Sequence, residues 1–304
     1  MIKSITVTNY LGESIKLDLM RPELSGLMVV SVTGLGPGTA NINTTEVATN
    51  DGSLFNSARL PSRNIVITLK YLWKNSVEDT RQLSYKYFPL KKKVTLLIET
   101  DNRKAEIEGY VESNDPNIFS KMEATDISIV CPNPFFHSAG IGGINTTVFS
   151  GVEPMLEFPF SNESLTEPLI ESGSIENRTE RVITYTGDSE IGITITIHAL
   201  GEARNITIYN SKTRESMRID TDKLEMFTGS GIMAGDDIII CTIKGEKSIK
   251  LIRNGETTNI LNCLDKDADW FQLSKGDNIF AYIVEEGNTN LQFKIENRVV
   301  YEGV

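Results

Sequence analysis

The sequence predicts a mainly β protein of two domains, each built from short antiparallel strands, with one short α-helix and one long loop in the first. Three observations predict it. Apolar and polar residues alternate along much of the chain, as in Ile191, Ile193, Ile195 and Ile197 against Gly192, Thr194, Thr196 and His198, and this is the period of a half-buried strand. Turn signals separate the runs, among them Lys244-Gly245-Glu246, Asn254-Gly255 and Lys275-Gly276-Asp277. The length, 304 residues, exceeds the ~250 at which one core usually stops growing.

Residues 1–137 form the predicted first domain. Ile5 and Val7, then Ile15, Leu17 and Leu19, alternate with polar neighbours, and Asn9 to Glu13 supplies the turn between them. An apolar run, Leu27 to Val32, ends in Gly34, Gly36 and Gly38. About thirty residues without helical periodicity follow before the chain re-enters a core over Ile65 to Trp73. A loop of that length inside a compact domain is usually functional or ordered by a partner. Val77 to Phe88 reads as a helix, with Ser76 as N-cap, Glu78 and Asp79 in the first turn, Leu83 and Tyr87 on one face, and Pro89 as its stop. Strands at Val94–Ile98, Ala105–Val111 and Ile127–Val130 complete the domain. The prolines of Cys131-Pro132-Asn133-Pro134-Phe135-Phe136 end it.

Residues 138–155 carry four glycines and few apolar anchors, so they read as a linker. Residues 156–304 form the predicted second domain, an antiparallel β-sandwich. Its alternating runs lie at 191–197, 206–209 and 217–219, further apolar runs lie at 238–240, 270–273, 279–284 and 291–295, and Asn254-Gly255 is its sharpest hairpin turn.

Charge narrows the function. The first 137 residues carry 15 Lys+Arg against 15 Asp+Glu, so the whole net charge of −11 belongs to the remainder. An acidic surface argues against nucleic acid, whose phosphates need clustered cations. The one basic run, Lys91-Lys92-Lys93, reads as a solvated strand edge. No apolar run approaches the ~20 residues that span a bilayer, and the N-terminus lacks the pattern of a signal peptide. Three cysteines without CxxC spacing, Cys131, Cys241 and Cys263, read as reduced structural thiols.

Chemistry finds little to use. Gly34-Leu35-Gly36-Pro37-Gly38 after a strand resembles a dinucleotide-binding turn, but no helix follows to receive a pyrophosphate, and Pro37 interrupts the pattern. Only His137 and His198 are available for zinc or a catalytic triad, and no nucleophile motif accompanies them. Asp265-Lys266-Asp267-Ala268-Asp269 spaces three carboxylates at alternating positions, as at the start of a calcium loop, yet lacks the glycine and the later glutamate of an EF-hand. A sugar site would stack an aromatic face on the ligand, and Trp270 is the only tryptophan of the second domain. No catalytic, cofactor-binding or metal-ligating residue is assigned, no cofactor is expected, and the reading is not an enzyme.

The sequence resembles the distal tail protein of siphophages, the siphovirus-type tail component family. The resemblance rests on Thr33-Gly34-Leu35-Gly36-Pro37, Asp51-Gly52-Ser53-Leu54-Phe55, Arg63-Asn64-Ile65-Val66-Ile67 and the closing Cys131 to Phe136. It continues through Arg204-Asn205-Ile206-Thr207-Ile208-Tyr209, Gly235-Asp236-Asp237-Ile238, Asn254-Gly255 and the run from Trp270 to Asn278. It implies six copies closing into a ring through their N-terminal domains, with a galectin-like sandwich projecting outward. The partners it implies are the chain itself, the tail tube protein, the baseplate hub and the receptor-binding protein. The location it implies is the virion tail tip, after assembly in the host cytoplasm. On that reading the long loop, with Arg59 and Arg63, reaches a neighbouring copy. The alternative is a carbohydrate-binding module that attaches to cell-surface polysaccharide through the second domain.

Overall fold

The computed structural model describes residues 1–46, 51–72, 76–120, 122–140, 143–153, 174–177 and 179–304. It divides into two compact units, Met1–Gly143 with Val300–Val304, and Ile144–Val299. Both are mainly β, as the sequence predicts.

The first unit contains β1 (Ile2–Thr8), β2 (Ser14–Asp18), β3 (Leu27–Thr33), β4 (Asn41–Glu46), β5 (Ser53–Arg59), β6 (Arg63–Tyr71), α1 (Val77–Tyr87), β7 (Lys93–Thr100), β8 (Lys104–Pro116), β9 (Ala124–Cys131) and β10 (Phe136–Ser138). One antiparallel sheet runs β2-β1-β7-β8-β9-β6-β3, with β10 beside the first half of β8. Alternation places Ile5, Val7, Ile65, Ile67, Leu69, Leu96, Ile98, Ile107, Ile127 and Ile129 on one buried face. That face is closed by α1. Its N-cap is Ser76, whose Oγ accepts the Asp79 N–H, and Val77, Leu83 and Tyr87 lie against the core. Trp73, placed by the sequence at the end of β6, lies outside the described residues.

Two features of this unit differ from the sequence reading. The long loop is an antiparallel two-stranded ribbon, β4 paired with β5. The segment Val300–Tyr301, expected in the second domain, pairs instead with β10, Tyr301 opposite Phe136 and Val300 opposite His137. The Arg103 guanidinium lies 4.8 Å over the Tyr301 ring and helps to hold it there.

The second unit contains β11 (Ile144–Val148), β12 (Ser150–Glu153), β13 (Ser174–Asn177), β14 (Glu180–Tyr185), β15 (Ile191–Gly192), β16 (Thr194–Ala199), β17 (Arg204–Asn210), β18 (Glu215–Ile219), α2 (Thr221–Thr228), β19 (Asp237–Cys241), β20 (Ser248–Arg253), β21 (Glu256–Asn259), β22 (Gln272–Leu273), β23 (Gly276–Glu286) and β24 (Leu291–Arg298). Its main sheets run β11-β24-β16-β19-β20-β21 and β14-β23-β17-β18. Aromatic residues join them: the rings of Tyr282 from β23 and Phe293 from β24 stack at 3.8 Å, and Phe149 packs against both at 6.0 Å. The predicted hairpin at Asn254-Gly255 connects β20 to β21 with both residues at positive φ, 52° and 83°.

Here too the structure corrects the sequence reading. Of the expected linker 138–155, residues 144–148 are β11 in the sandwich, and Phe149 is 2% exposed in its aromatic core. One buried ring anchors a stretch whose glycines suggest a hinge; Ile141, Gly142 and residues 154–155 lie outside the described residues. The second domain is also not purely strand. An Asp220 carboxylate accepting the Asp222 and Lys223 N–H groups caps α2, which buries Leu224.

Candidate assembly surface

The ribbon β4–β5 is the most exposed regular element among the residues whose burial is described. Every residue of both strands is exposed, including Ile42 at 64%, Leu54 at 62% and Phe55 at 66%. In its register Ile42 faces Ala58 and Thr44 faces Phe55, with Asn56 of β5 an extra residue opposite the step from Asn43 to Thr44. Paired residues and i, i+2 neighbours share a face of a strand, so Ile42, Phe55 and Ala58 form an apolar stripe. Leu54 and Arg59 fall on the opposite face. A bulge of this kind bends and twists a strand, and Asn56 Nδ2 donates to Thr45 Oγ1 at 2.6 Å across the ribbon.

The base of the ribbon is built in the opposite manner. Gly34 leaves β3 with φ of 84°, and a Cβ there would lie 2.2 Å from the Asn64 carbonyl oxygen. Only glycine lets the outgoing leg cross β6 so closely. Arg63, the first residue of the returning leg, is 7% exposed. Its Nη1 donates to the carbonyls of Gly34 at 2.7 Å and Gly36 at 2.5 Å, its Nε to Pro134 at 2.6 Å and its Nη2 to Glu302 at 2.6 Å. The same guanidinium lies 4.8 Å over the Phe136 ring. Its planar fork serves several acceptors at once, which a lysine cannot do. Burial draws the Arg63 pKa below its ordinary value, opposed by nearby Cys131 and Glu302. Cys131 is fully buried, and burial pushes its thiol up to about 11.

Sequence reasoning placed Arg59 and Arg63 together on a loop directed at a neighbour. The structure separates them. Arg59 is exposed on β5, whereas Arg63 is spent within its own unit, because a guanidinium with four carbonyl acceptors has few donors left for another molecule. Val300–Val304 has no local sequence signal for its role at the ribbon base, and neither does the Arg63 cluster.

The other candidates from the sequence fall elsewhere. His198 Nδ1 lies 2.7 Å from Asp237 Oδ1 across paired strands. His137 Nε2 lies 3.1 Å from Asn133 Nδ2. Asp265 is engaged by Arg218 and Lys223, and Asp269 accepts the Ser216 N–H. Among the described residues no group of three or more His, Cys, Asp or Glu side chains is placed to hold a metal ion. Trp270, the platform a sugar site would use, is half-buried with the Lys247 ammonium 5.1 Å over its ring. In the basic run, Lys92 lies over Tyr10 and Lys93 pairs with Glu108 at 2.8 Å. A cleft of about 440 Å³ between β2, α1 and the turn before β3 is lined by Ile15, Lys16, Arg21 and Leu24, and Asp18 at its rim already accepts the Met20 and Arg21 N–H groups. No helix among the described residues is long and apolar enough to cross a membrane.

Residues 186–298 match the model of the siphovirus-type tail component, C-terminal domain. No curated protein sequence matches the chain. Among solved structures it is similar to the SPP1 Dit protein (gp 19.1), described as a paradigm of the hub adsorption apparatus in phages infecting Gram-positive bacteria. The TM-score is 0.64 at 11% identity, over 96% of this chain and 97% of that one. It is also similar to a chain of the phage P2 baseplate in its activated conformation with Ca, with a TM-score of 0.51 at 13% identity over 98% and 99% of the two chains. Residues 186–298 of the second unit thus match the siphovirus-type tail component C-terminal domain, and the chain as a whole has the fold of the SPP1 Dit protein.

Proposed function

We propose that this chain is a structural protein of a siphophage tail tip. Six copies close into a ring that joins the tail tube to the baseplate hub and the receptor-binding apparatus, and the β4–β5 ribbon is the arm that engages the next copy. The carrying observation is the contrast within that arm: thirteen exposed strand residues, with Ile42, Leu54 and Phe55 among them, on a tightly bonded base. A lone two-stranded ribbon is at best marginally stable in water, and clustered exposed apolar residues mark interaction sites. A head-to-tail ring needs two different complementary surfaces on each subunit, and a projecting ribbon supplies one of them. The match of residues 186–298 and the whole-chain likeness to a hub protein support the same reading. The role is scaffolding rather than catalysis, in the virion, after assembly in the host cytoplasm. The acidic remainder of the chain suits a module facing solvent and other baseplate components.

Light scattering with negative-stain imaging of the purified protein, alone and mixed with its tail tube protein, tests this. A sixfold ring in either condition is the expected result. A protein that stays monomeric in both overturns it.

A further inference from the structure

The base of the ribbon is held by a third segment besides the two legs. Arg63 bonds the outgoing leg through Gly34 and Gly36, and it also bonds Glu302. The Val304 N–H donates to the Leu35 carbonyl at 3.1 Å. Gly303 is seated so closely that a Cβ there would lie 3.0 Å from the Pro37 nitrogen and 3.1 Å from the Gly36 carbonyl carbon. One step earlier, Val300–Tyr301 is fixed to the sheet by pairing with β10. A five-residue segment thus runs from a sheet anchor directly onto Leu35 to Pro37, where the ribbon departs.

Neither leg alone sets the ribbon's direction. Leu35 is buried, but from Gly38 to Ala40 and again at Leu60 to Ser62 the chain has no strand pairing. All residues of the ribbon itself are exposed, so no buried face of its own aims it. The bonds at Gly34, Leu35 and Gly36 are therefore the last fixed points before it projects.

We propose that Val300–Val304 is a positioning strap: it seats Leu35–Pro37 and thereby fixes the angle at which the β4–β5 ribbon leaves the first unit for its partner copy. The proposal rests on the ribbon being the assembly arm, but its structural part stands apart from that reading.

The test uses the full chain with Cys241→Ser and spin labels at Ser57→Cys on the ribbon and Glu108→Cys on β8, diluted into excess unlabelled protein so that only distances within one chain are read. Val304→Pro removes a single N–H donor. Gly303→Leu blocks the seat against Pro37. Both should at least double the width of the ribbon-to-β8 distance distribution while the circular dichroism spectrum and the cooperative unfolding of the first unit persist. The protein concentration at half-assembly should rise at least tenfold in parallel. An unchanged distribution in both variants overturns the strap, whether or not rings form. Loss of all folded signal in the milder variant, Val304→Pro, also overturns it, because the segment is then part of the core rather than a positioning element. Absence of rings in the unsubstituted protein counts against the assembly role alone, and the distance readout still decides the strap.

Discussion

The ribbon and its base lie within thirty residues of one another, yet they are built on opposite principles. Along β4 and β5 no side chain is buried, and the strands pair only with each other. At the base one buried guanidinium satisfies four main-chain carbonyls and covers an aromatic ring. On the proposed function, the difference assigns folding energy and assembly energy to separate residues. Loss of the Arg63 side chain should destabilise the first unit without any partner present, whereas substitutions on the ribbon should matter only when a partner is there.

The largest expected effect is at Arg63. Arg63→Ala leaves the carbonyls of Gly34, Gly36, Pro134 and Glu302 short of a donor, and each buried acceptor left unsatisfied costs about 1–3 kcal/mol. Urea unfolding followed by a probe of the first unit should show a loss of that order, and a loss below about 1 kcal/mol would mean that the base is far weaker than its geometry indicates. The next effect is alkaline. The Cys131 thiol is raised from 9.0 to about 11 by burial, so its neutral form is the one the fold prefers. That contribution is complete below about pH 9 and is lost as pH rises towards 11. At about 1.4 kcal/mol per unit it amounts to about 2–3 kcal/mol. The stability of Cys131→Ala, measured across the same range, should lack this part of the decline. The smallest stability change, within about 0.5 kcal/mol, is expected for Ile42→Ser combined with Phe55→Ser. Those substitutions should nevertheless raise the concentration needed for half-assembly at least tenfold in light scattering. If they unfolded the monomer and left assembly intact, the division of labour between ribbon and base would be reversed.

The same contrast explains what could be read in the sequence. Strands such as β6 and β16 announce themselves because one face is buried, which forces apolar residues into every second position. The ribbon has no buried face, so Asn41-Ile42-Asn43-Thr44-Thr45-Glu46 shows no clean alternation and reads as loop. The helix α1 was legible from its Ser76 cap and its Leu83–Tyr87 face. At eight residues α2 was too short to show a period, although Asp220 before Thr221 was its available signal. Phe149 is one aromatic among glycines, and nothing local reveals that it meets Tyr282 and Phe293. Arg63 looked like a surface cation because its acceptors come from Gly34, Gly36, Pro134 and Glu302, which only the tertiary fold gathers.

The placement of Val300–Val304 in the first unit has a consequence in time. During synthesis the ribbon and its base leave the ribosome early, but residues 300–304 follow only after the whole of Ile144–Val299. Nascent domains begin folding in order from the N-terminus, so the first unit can form its sheet long before its last five residues arrive. Until then Glu302 cannot accept from Arg63 and Val304 cannot donate to Leu35. On the strap proposal, the ribbon takes its final direction only once residues 300–304 have been made. Completion of the first unit then marks a chain whose second unit has already been made.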